Sequence, residues 1–431
     1  MKNSSLIILN DREKRWNNFN KLINSSNRKS WIIIRANIPG NNKTSYLSNY
    51  LCYQGFKKII ENITIKEIYY YFGEDGLNIY FSTNEDSLSL KKKTILIEEQ
   101  EIGRFIDVDV IDNGGIISRT DLNYERRKCY ICDNDAIICV KKRKHSVDEL
   151  IKFIEDSTTE FIFKDSKYIF KNIFELACII ELSRTFSYGC VNVIGNGSHS
   201  DMDLISFFKS IKLLGSYYIK DQFNNIKNFK DLRNLGKEIE KELFKITKGI
   251  NTYKGLNFLV LFVSYAFFNN YSINDYSKII KKLADNIYDD FNSNLNTNGY
   301  RINEKYNIKG IREIPYTGFE IVENIFCPYL KNFKNIQELN LIIMKYINDT
   351  TTINRCGIDQ YYIFKNLVSE VINKKLSKEE LDRYCLDKNI STGGAADIII
   401  ITIMYFLIYV YEEEGEISEI NKKWNLWKFT V

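Results

Sequence analysis

A change of hydrophobic period near residue 160 is the feature that most constrains how this chain can fold. Before it, short runs read as strands: KEIYYYFG (66–73), LNIYFST (77–83), KTILIEEQ (93–100) and FIDVDVID (105–112), separated by Gly, Asn and Asp turn signals. A polar helix over 10–26, a strand over 30–40 and a helix over 45–63 precede them. Beyond about 160 the apolar positions recur at helical spacing, without convincing alternation. At 431 residues one ordinary core does not suffice. The expectation is an α/β domain over 1–155, a mixed sheet with helices, then a mainly all-α domain over 165–415 and a tail at 416–431.

The bulk numbers narrow the function. With 44% hydrophobic residues the chain can bury sizeable cores and is not disordered. A balance of 60 basic against 55 acidic residues is too even for a nucleic-acid surface, but suits phosphorylated small molecules or an acidic protein partner. Nine scattered cysteines and a start, MKNSSLIILNDREKRW, without a secretory pattern point to a reducing cytoplasm. The apolar run 398–411 is short beside the roughly 20 residues a membrane span needs. It reads as a buried core helix, and no membrane partner is expected.

The chemistry-bearing residues of the first half cluster around FIDVDVID. In an extended strand residues i and i+2 share a face, so Asp107 and Asp109 stand side by side with Phe105, while Ile106, Val108 and Val110 face the other way. Two adjacent carboxylates repel unless a cation sits between them, and Mg²⁺ is the usual one. The alternative is a solvated strand face ending in the turn Asn113-Gly114-Gly115. Arg104, after Gly103, places a guanidinium next to the pair, suited to a phosphate on the same metal. Arg119 lies on the returning strand, and Lys43 follows the turn Asn37–Gly40. Cys129, Cys132, Cys139 and His145 have C-x2-C-x6-C-x5-H spacing, which is open between a zinc site and buried structural thiols. Around them Arg126, Arg127, Lys128 and Lys141–Lys144 form a basic segment, either a solvated face or a dock for phosphates or an acidic partner.

In the second half, GNGSHSDMD (195–203) brings His199, Asp201 and Asp203 out of a glycine-rich turn. TKGINTYKG (247–255) offers Lys254, and NDTTTINRCG (348–357) offers Asp349 and Arg355. ISTGGAAD (390–397) opens the apolar helix with Ser391, Gly393 and Gly394, an anion site by virtue of exposed N–H groups and the helix dipole. Both histidines of the chain fall inside these clusters.

Over residues 10–150 the motifs REKR, NIPG with Lys43, GRFIDVDV, ISR and the cysteine segment ending RKHS resemble the apo-citrate lyase phosphoribosyl-dephospho-CoA transferase family, also called holo-acyl-carrier-protein synthase. From about 170 to 410, GSHSDMD, TKGINTYKG, DTTTINRCG and ISTGGAAD resemble triphosphoribosyl-dephospho-CoA synthase. The resemblance implies a nucleotidyltransferase-like first domain and two consecutive reactions. ATP and dephospho-CoA are joined with loss of adenine, and the product is then attached to a serine of the citrate lyase acyl-carrier subunit with loss of pyrophosphate. It implies that Asp107 and Asp109 hold Mg²⁺, with Glu98 or Glu99 as a third carboxylate, and that Lys43, Arg104 and Arg119 steady phosphates. Arg126, Arg127 and Lys142 would dock the acidic carrier. In the synthase half, Asp201 and Asp349 would serve as metal or acid–base groups and His199 would protonate the departing adenine. Lys254, Arg355 and the 391–394 amides would bind phosphates. Departures from the family pattern include Ser187 for a lysine, Asn192 for an aspartate, Ser200 for a lysine, Tyr253 for a histidine and Thr351 for an asparagine, and an Arg-Gly-Glu-Ala element is barely visible near Arg312-Glu313. They admit a second reading, in which only the first domain is active and the second is a degenerate, structural or substrate-binding partner.

Overall fold

The computed structural model describes residues 2–113, 115–288, 298–414 and 416–431, with side chains from residue 6 onward. It divides into two compact units, Met1–Phe161 and Ile162–Val431.

The first unit is built on a five-stranded sheet of order β2-β3-β1-β4-β5. Its elements are α1 (Lys2–Asn24), β1 (Ser30–Ala36), α2 (Tyr46–Asn62), β2 (Glu67–Gly73), β3 (Gly76–Thr83), α3 (Ser87–Glu98), β4 (Ile106–Asp112), β5 (Gly115–Ile117), α4 (Ala136–Lys142) and α5 (Val147–Phe163). The α/β class holds, but the expected mixed sheet is antiparallel in every pairing among the described residues. β2–β3 and β4–β5 are tight hairpins, and β1 lies between β3 and β4, antiparallel to both. Of the expected turn at the end of β4, Gly114 lies outside the described residues. The run KTILIEEQ, expected as a strand, belongs to α3 instead. Asp86 caps that helix by accepting from Ser89 N at 2.9 Å, and the run's alternation reflects a helix buried at Thr94, Ile95, Ile97 and Glu98.

The two faces of the sheet differ. On one, Ile32, Ile34, Val108 and Val110 are fully buried; Ile34 and Ile106 on this face come so close to Gly55 of α2 that a Cβ there would meet both at 3.0–3.2 Å. On the other, Phe19 of α1 packs with Trp31, Ile33, Tyr80 and Ile111. That same face runs on into Arg35, Asp107 and Asp109, where polar side chains replace the apolar ones.

The second unit is mainly helical, beginning with α6 (Ile169–Leu182), α7 (Leu204–Tyr217), α8 (Phe229–Ile246) and α9 (Lys254–Phe268). The helix Gly393–Glu413 is long and apolar enough to cross a membrane, yet 83% of its apolar window is buried inside the unit, as expected for a core helix. α6, α9 and the helices Cys327–Phe333 and Ile336–Tyr346 pack around it. Residues 416–431 form a short helix, Ile417–Trp424, and a turn that adds Thr430 beside Asn335, with Ile336 N donating to Thr430 O at 2.8 Å.

Candidate active sites

In the first unit the strand register answers what sits between the two aspartates. Arg35 of β1 lies directly across from Asp107. Its guanidinium bonds the Asp107 carboxylate and reaches Asp109 Oδ2 at 2.9 Å. Burial alone would raise the Asp107 carboxyl, but Arg35 and then Arg127 outweigh it and hold it below the usual carboxylate range. Burial would likewise lower Arg35, and the two aspartates more than reverse that. Sequence reasoning missed Arg35, although an arginine ending the apolar run SWIIIRA was a legible signal.

The edge of β4 positions a further carboxylate. β5 pairs only with residues 110–112, so the edge at Val108 has no strand neighbour on that side. α3 supplies side chains instead: Val108 N donates to Glu98 Oε1 at 3.0 Å, and Lys91 Nζ donates to Val108 O at 2.9 Å. Glu98 is buried at 1% side-chain exposure, which raises its pKa, while Arg127 and Lys91 oppose the rise. Arg127 bonds Glu98 and stands 3.2 Å from Asp107 Oδ1. Arg119 bonds Glu99 and stands 3.5 Å from Glu98 Oε2. Arg127 therefore belongs to the carboxylate cluster rather than to an exposed docking face, whereas Arg126 and Lys142 are exposed.

Arg104 and Lys43 are placed differently from expectation. Gly103 lies so close to the end of α3 that a Cβ would meet Ile97 O at 2.1 Å, which fixes a glycine before Arg104. Arg104 then donates to Cys129 O at 2.8 Å and lies over the Tyr130 ring, bracing the cysteine segment. Lys43 Nζ bonds Ile38 O, and burial, then Arg12, lower its pKa. Arg12 and Arg15 in turn meet Asp75 at 2.7 and 3.2 Å at the β2–β3 turn. Cys129, Cys132, Cys139 and His145 converge, with ligand atoms all within 4.8 Å of one another.

In the second unit a pocket enclosing about 730 Å³, part of it open to solvent, is lined by His199, Ser391, Gly393, Thr351, Glu181 and Asp397 among others. His199 Nε2 lies 2.9 Å from Ser391 Oγ, and its Nδ1 lies 3.8 Å from Asp201 Oδ1. Burial, then Arg355, lower the His199 pKa against the pull of Asp201, so the ring is neutral near pH 7. Asp397, half-buried at the end of ISTGGAAD, has its pKa pushed well up by desolvation in the pocket lining, then by Asp349 and Glu181. Neither Asp397 nor Glu181 was singled out from sequence; both came to light only when the helices were packed.

Three expected roles in this unit are already filled by protein groups. Asp349 caps the helix Thr350–Cys356 through Thr351 N and Thr352 N, and its other oxygen accepts from Gly394 N at 2.8 Å and Ala395 N at 3.2 Å. The carboxylate of Asp349 is thus the anion at the Gly393–Glu413 helix start, and Gly394 is required there because a Cβ would meet it at 2.9 Å. Arg355 donates to Ser198 O at 2.7 Å and Asn389 O at 3.0 Å, tying the His199 loop to the turn before Ser391. Lys254 pairs with Glu240 at 3.0 Å and lines a separate groove between α8 and α9. Among the family departures, Tyr253 and Thr351 face the pocket. Asn192 instead builds a turn by accepting from Ile194 N and Gly195 N, each at 3.0 Å, and Ser187 accepts from Cys190 N through its carbonyl.

Residues 5–161 match the family profile of apo-citrate lyase phosphoribosyl-dephospho-CoA transferase, and residues 169–416 that of ATP:dephospho-CoA triphosphoribosyl transferase. Protein CitXG of Haemophilus influenzae is 25% identical, covering 92% of this chain and 95% of that protein. Protein CitXG of Leuconostoc mesenteroides subsp. cremoris is 29% identical over 86% and 90%. The 2-(5''-triphosphoribosyl)-3'-dephosphocoenzyme-A synthase of Haemophilus ducreyi is 26% identical, covering 65% of this chain and all of that protein. The chain is a two-unit transferase that belongs to the ATP:dephospho-CoA triphosphoribosyl transferase family through its second unit and carries an apo-citrate lyase phosphoribosyl-dephospho-CoA transferase domain ahead of it.

Proposed function

We propose that the two units catalyse consecutive steps in making and attaching one prosthetic group. The second joins ATP to dephospho-CoA through a ribosyl–ribosyl bond, expelling adenine. The first transfers the resulting 2′-(5″-triphosphoribosyl)-3′-dephospho-CoA to a serine of the citrate lyase acyl-carrier subunit, expelling pyrophosphate. The observation that carries the transferase assignment is the pairing of Asp107 and Asp109 around one cationic group, Arg35. Asp107 and Asp109 share one strand face and are each 24% exposed, a carboxylate pair that would hold Mg²⁺ in exchange for the Arg35 contacts. Bound there, Mg²⁺ would neutralise triphosphate charge. Arg35 bonds both aspartates, Arg35 and Arg127 hold the Asp107 carboxyl below its usual range, and Glu98 anchors Arg127 from the interior. The exposed Arg126 and Lys142 form the dock for an acidic carrier.

In the synthase pocket the neutral His199 ring is suited to accept a proton, not to donate one. It takes the proton of the attacking ribose hydroxyl, directly or through Ser391 Oγ at 2.9 Å. Arg355 positions the ring, and Asp397, which lines the same pocket with its carboxyl pushed well up, hands a proton to the departing adenine. The degenerate-partner reading loses weight because two of the departures, Ser187 and Asn192, serve turns outside this pocket. The nine free cysteines suit a reducing cytoplasm.

The test is mass spectrometry of apo-carrier incubated with the chain, ATP, dephospho-CoA and Mg²⁺, with adenine measured in parallel. Carrier gains the prosthetic-group mass and adenine appears. Carrier modified only when the premade nucleotide is supplied would move the assignment to the degenerate-partner reading.

A further inference from the structure

Residues 118–146 contain one regular helix of any kind beyond a single turn, α4, and leave Ile131, Ile137, Ile138 and Val140 exposed. So small an apolar contribution does not explain why the segment is compact. Its compactness centres on four side chains. Cys129 and Cys132 come from a tight turn closed by the Lys128–Asp135 bridge, with Cys129 N donating to Asn134 O at 2.8 Å. Cys139 projects from α4, and His145 follows the left-handed residue Arg143 that ends it. Sγ of Cys132 lies 3.5 Å from Sγ of Cys139 and 3.3 Å from Nε2 of His145. All four ligand atoms lie within 4.8 Å of one another.

We propose that Cys129, Cys132, Cys139 and His145 bind one Zn²⁺ as a structural Cys₃His site of the first unit. A tetrahedral zinc with Zn–S bonds of about 2.3 Å holds its sulfurs about 3.8 Å apart, close to the 3.5 Å between Cys132 and Cys139 and within about 1 Å of the widest separation in the set. A disulfide does not, because its sulfurs would be bonded at about 2.05 Å and one partner would be left over. Binding releases the three thiol protons to solvent, and neutral imidazole donates its Nε2 lone pair. Three thiolates and Zn²⁺ carry one net negative charge, and Lys144 Nζ lies 3.5 Å from Cys132 Sγ, with the exposed Lys141, Lys142 and Arg143 between Cys139 and His145 in sequence. Part of the basic segment is thereby explained by charge compensation.

The site also reaches the transferase cluster. Ala136 N donates to Arg127 O at 2.9 Å, so the turn that carries the first two ligands continues directly from the irregular segment carrying Arg127. Arg104 holds Cys129 O, and Tyr130 OH donates to Asn37 O at 3.1 Å. Zinc therefore fixes the segment from which Arg127 enters the carboxylates.

The experiment is elemental analysis of the full chain, purified in reductant without added metal, followed by Co²⁺ exchange. About one zinc per chain is expected, and Co²⁺ should give the intense visible bands of a tetrahedral thiolate site. Cys132→Ser with Cys139→Ser should retain less than about a tenth of the zinc, Cys356→Ser all of it, and His145→Cys should keep a four-thiolate site. Metal-free reduced chain with no Co²⁺ spectrum, or stoichiometric zinc in the double serine variant, overturns the proposal. Because these readouts concern metal alone, they are independent of whether either transferase reaction is assigned correctly.

Discussion

Replacing Arg127 with alanine separates a residue of the carboxylate cluster from one that merely docks a protein. Its guanidinium bonds Glu98, which is 1% exposed, and Asp107, which is 24% exposed, and it is itself 30% exposed. A charged hydrogen bond is worth about 1.5–3 kcal/mol when lost, and partial exposure pulls both contacts toward the lower end. Glu98 keeps Val108 N at 3.0 Å and Arg119 at 3.5 Å, so it is not stranded. The stability cost should then be about 1–2 kcal/mol, or about 3–6 °C in the melting of the first unit. Transfer depends on the Asp107 alignment, and kcat/KM for premade nucleotide should fall about ten- to a hundredfold, mainly in kcat. Arg126→Ala, one residue away and exposed, should leave melting unchanged and affect only the KM for carrier. The assay is thermal melting of the full chain with steady-state transfer at varied carrier and varied nucleotide. If Arg127→Ala raises only the carrier KM, with kcat and melting unchanged, the placement of Arg127 in the carboxylate cluster carries no functional weight.

The remaining expectations concern both sites. Asp107→Asn or Asp109→Asn should abolish transfer while leaving adenine release intact, because each removes one carboxylate charge from the pair around Arg35; near wild-type transfer in either would disprove the metal assignment. Reversing Arg126 and Lys142 to Glu should raise the KM for carrier more than that for nucleotide, and added salt should weaken carrier binding in the wild type, since exposed charges are screened beyond about 10 Å at 0.1 M. Asp349→Ala removes the cap of two helices at once and should cost about 2–4 kcal/mol in denaturant unfolding of the second unit, together with adenine release; loss of activity at full stability would point to direct chemistry instead. The folded pKa of His199 lies below its ordinary value of about 6.5, so its neutral form stabilises the fold fully above that value, and the contribution is lost as pH falls through the lower folded pKa. Adenine release should follow the same limb, rising with pH as His199 loses its proton, and in Asp397→Asn any falling limb at higher pH should disappear; an activity that falls through the His199 pKa instead would restore His199 as the acid.

How far the sites could be read from sequence depends on whether the deciding partner is local. Strand parity alone put Asp107 and Asp109 on one face, and that placement is a property of any extended chain. What lies between them is Arg35, 72 residues earlier, and only the register of β1 against β4 brings it there. The same holds at the start of the apolar helix. The physics that read STGGAAD as an anion site is right, but the anion is the carboxylate of Asp349, delivered by the chain itself. KTILIEEQ alternates like a strand because Thr94, Ile95, Ile97 and Glu98 are buried on one side of a helix whose cap, Asp86, lies outside the run. Arg104, Lys254 and Arg355 were correctly seen as cations in rich motifs, yet their heads meet Cys129 O, Glu240 and Ser198 O. A motif records which chemical groups a region keeps, whereas occupancy is set by packing, since a buried donor or acceptor takes the nearest partner the fold offers. In this chain His199, Ser391 and Asp397 line the pocket, whereas Asp349, Lys254 and Arg355 are held by partners the fold supplies.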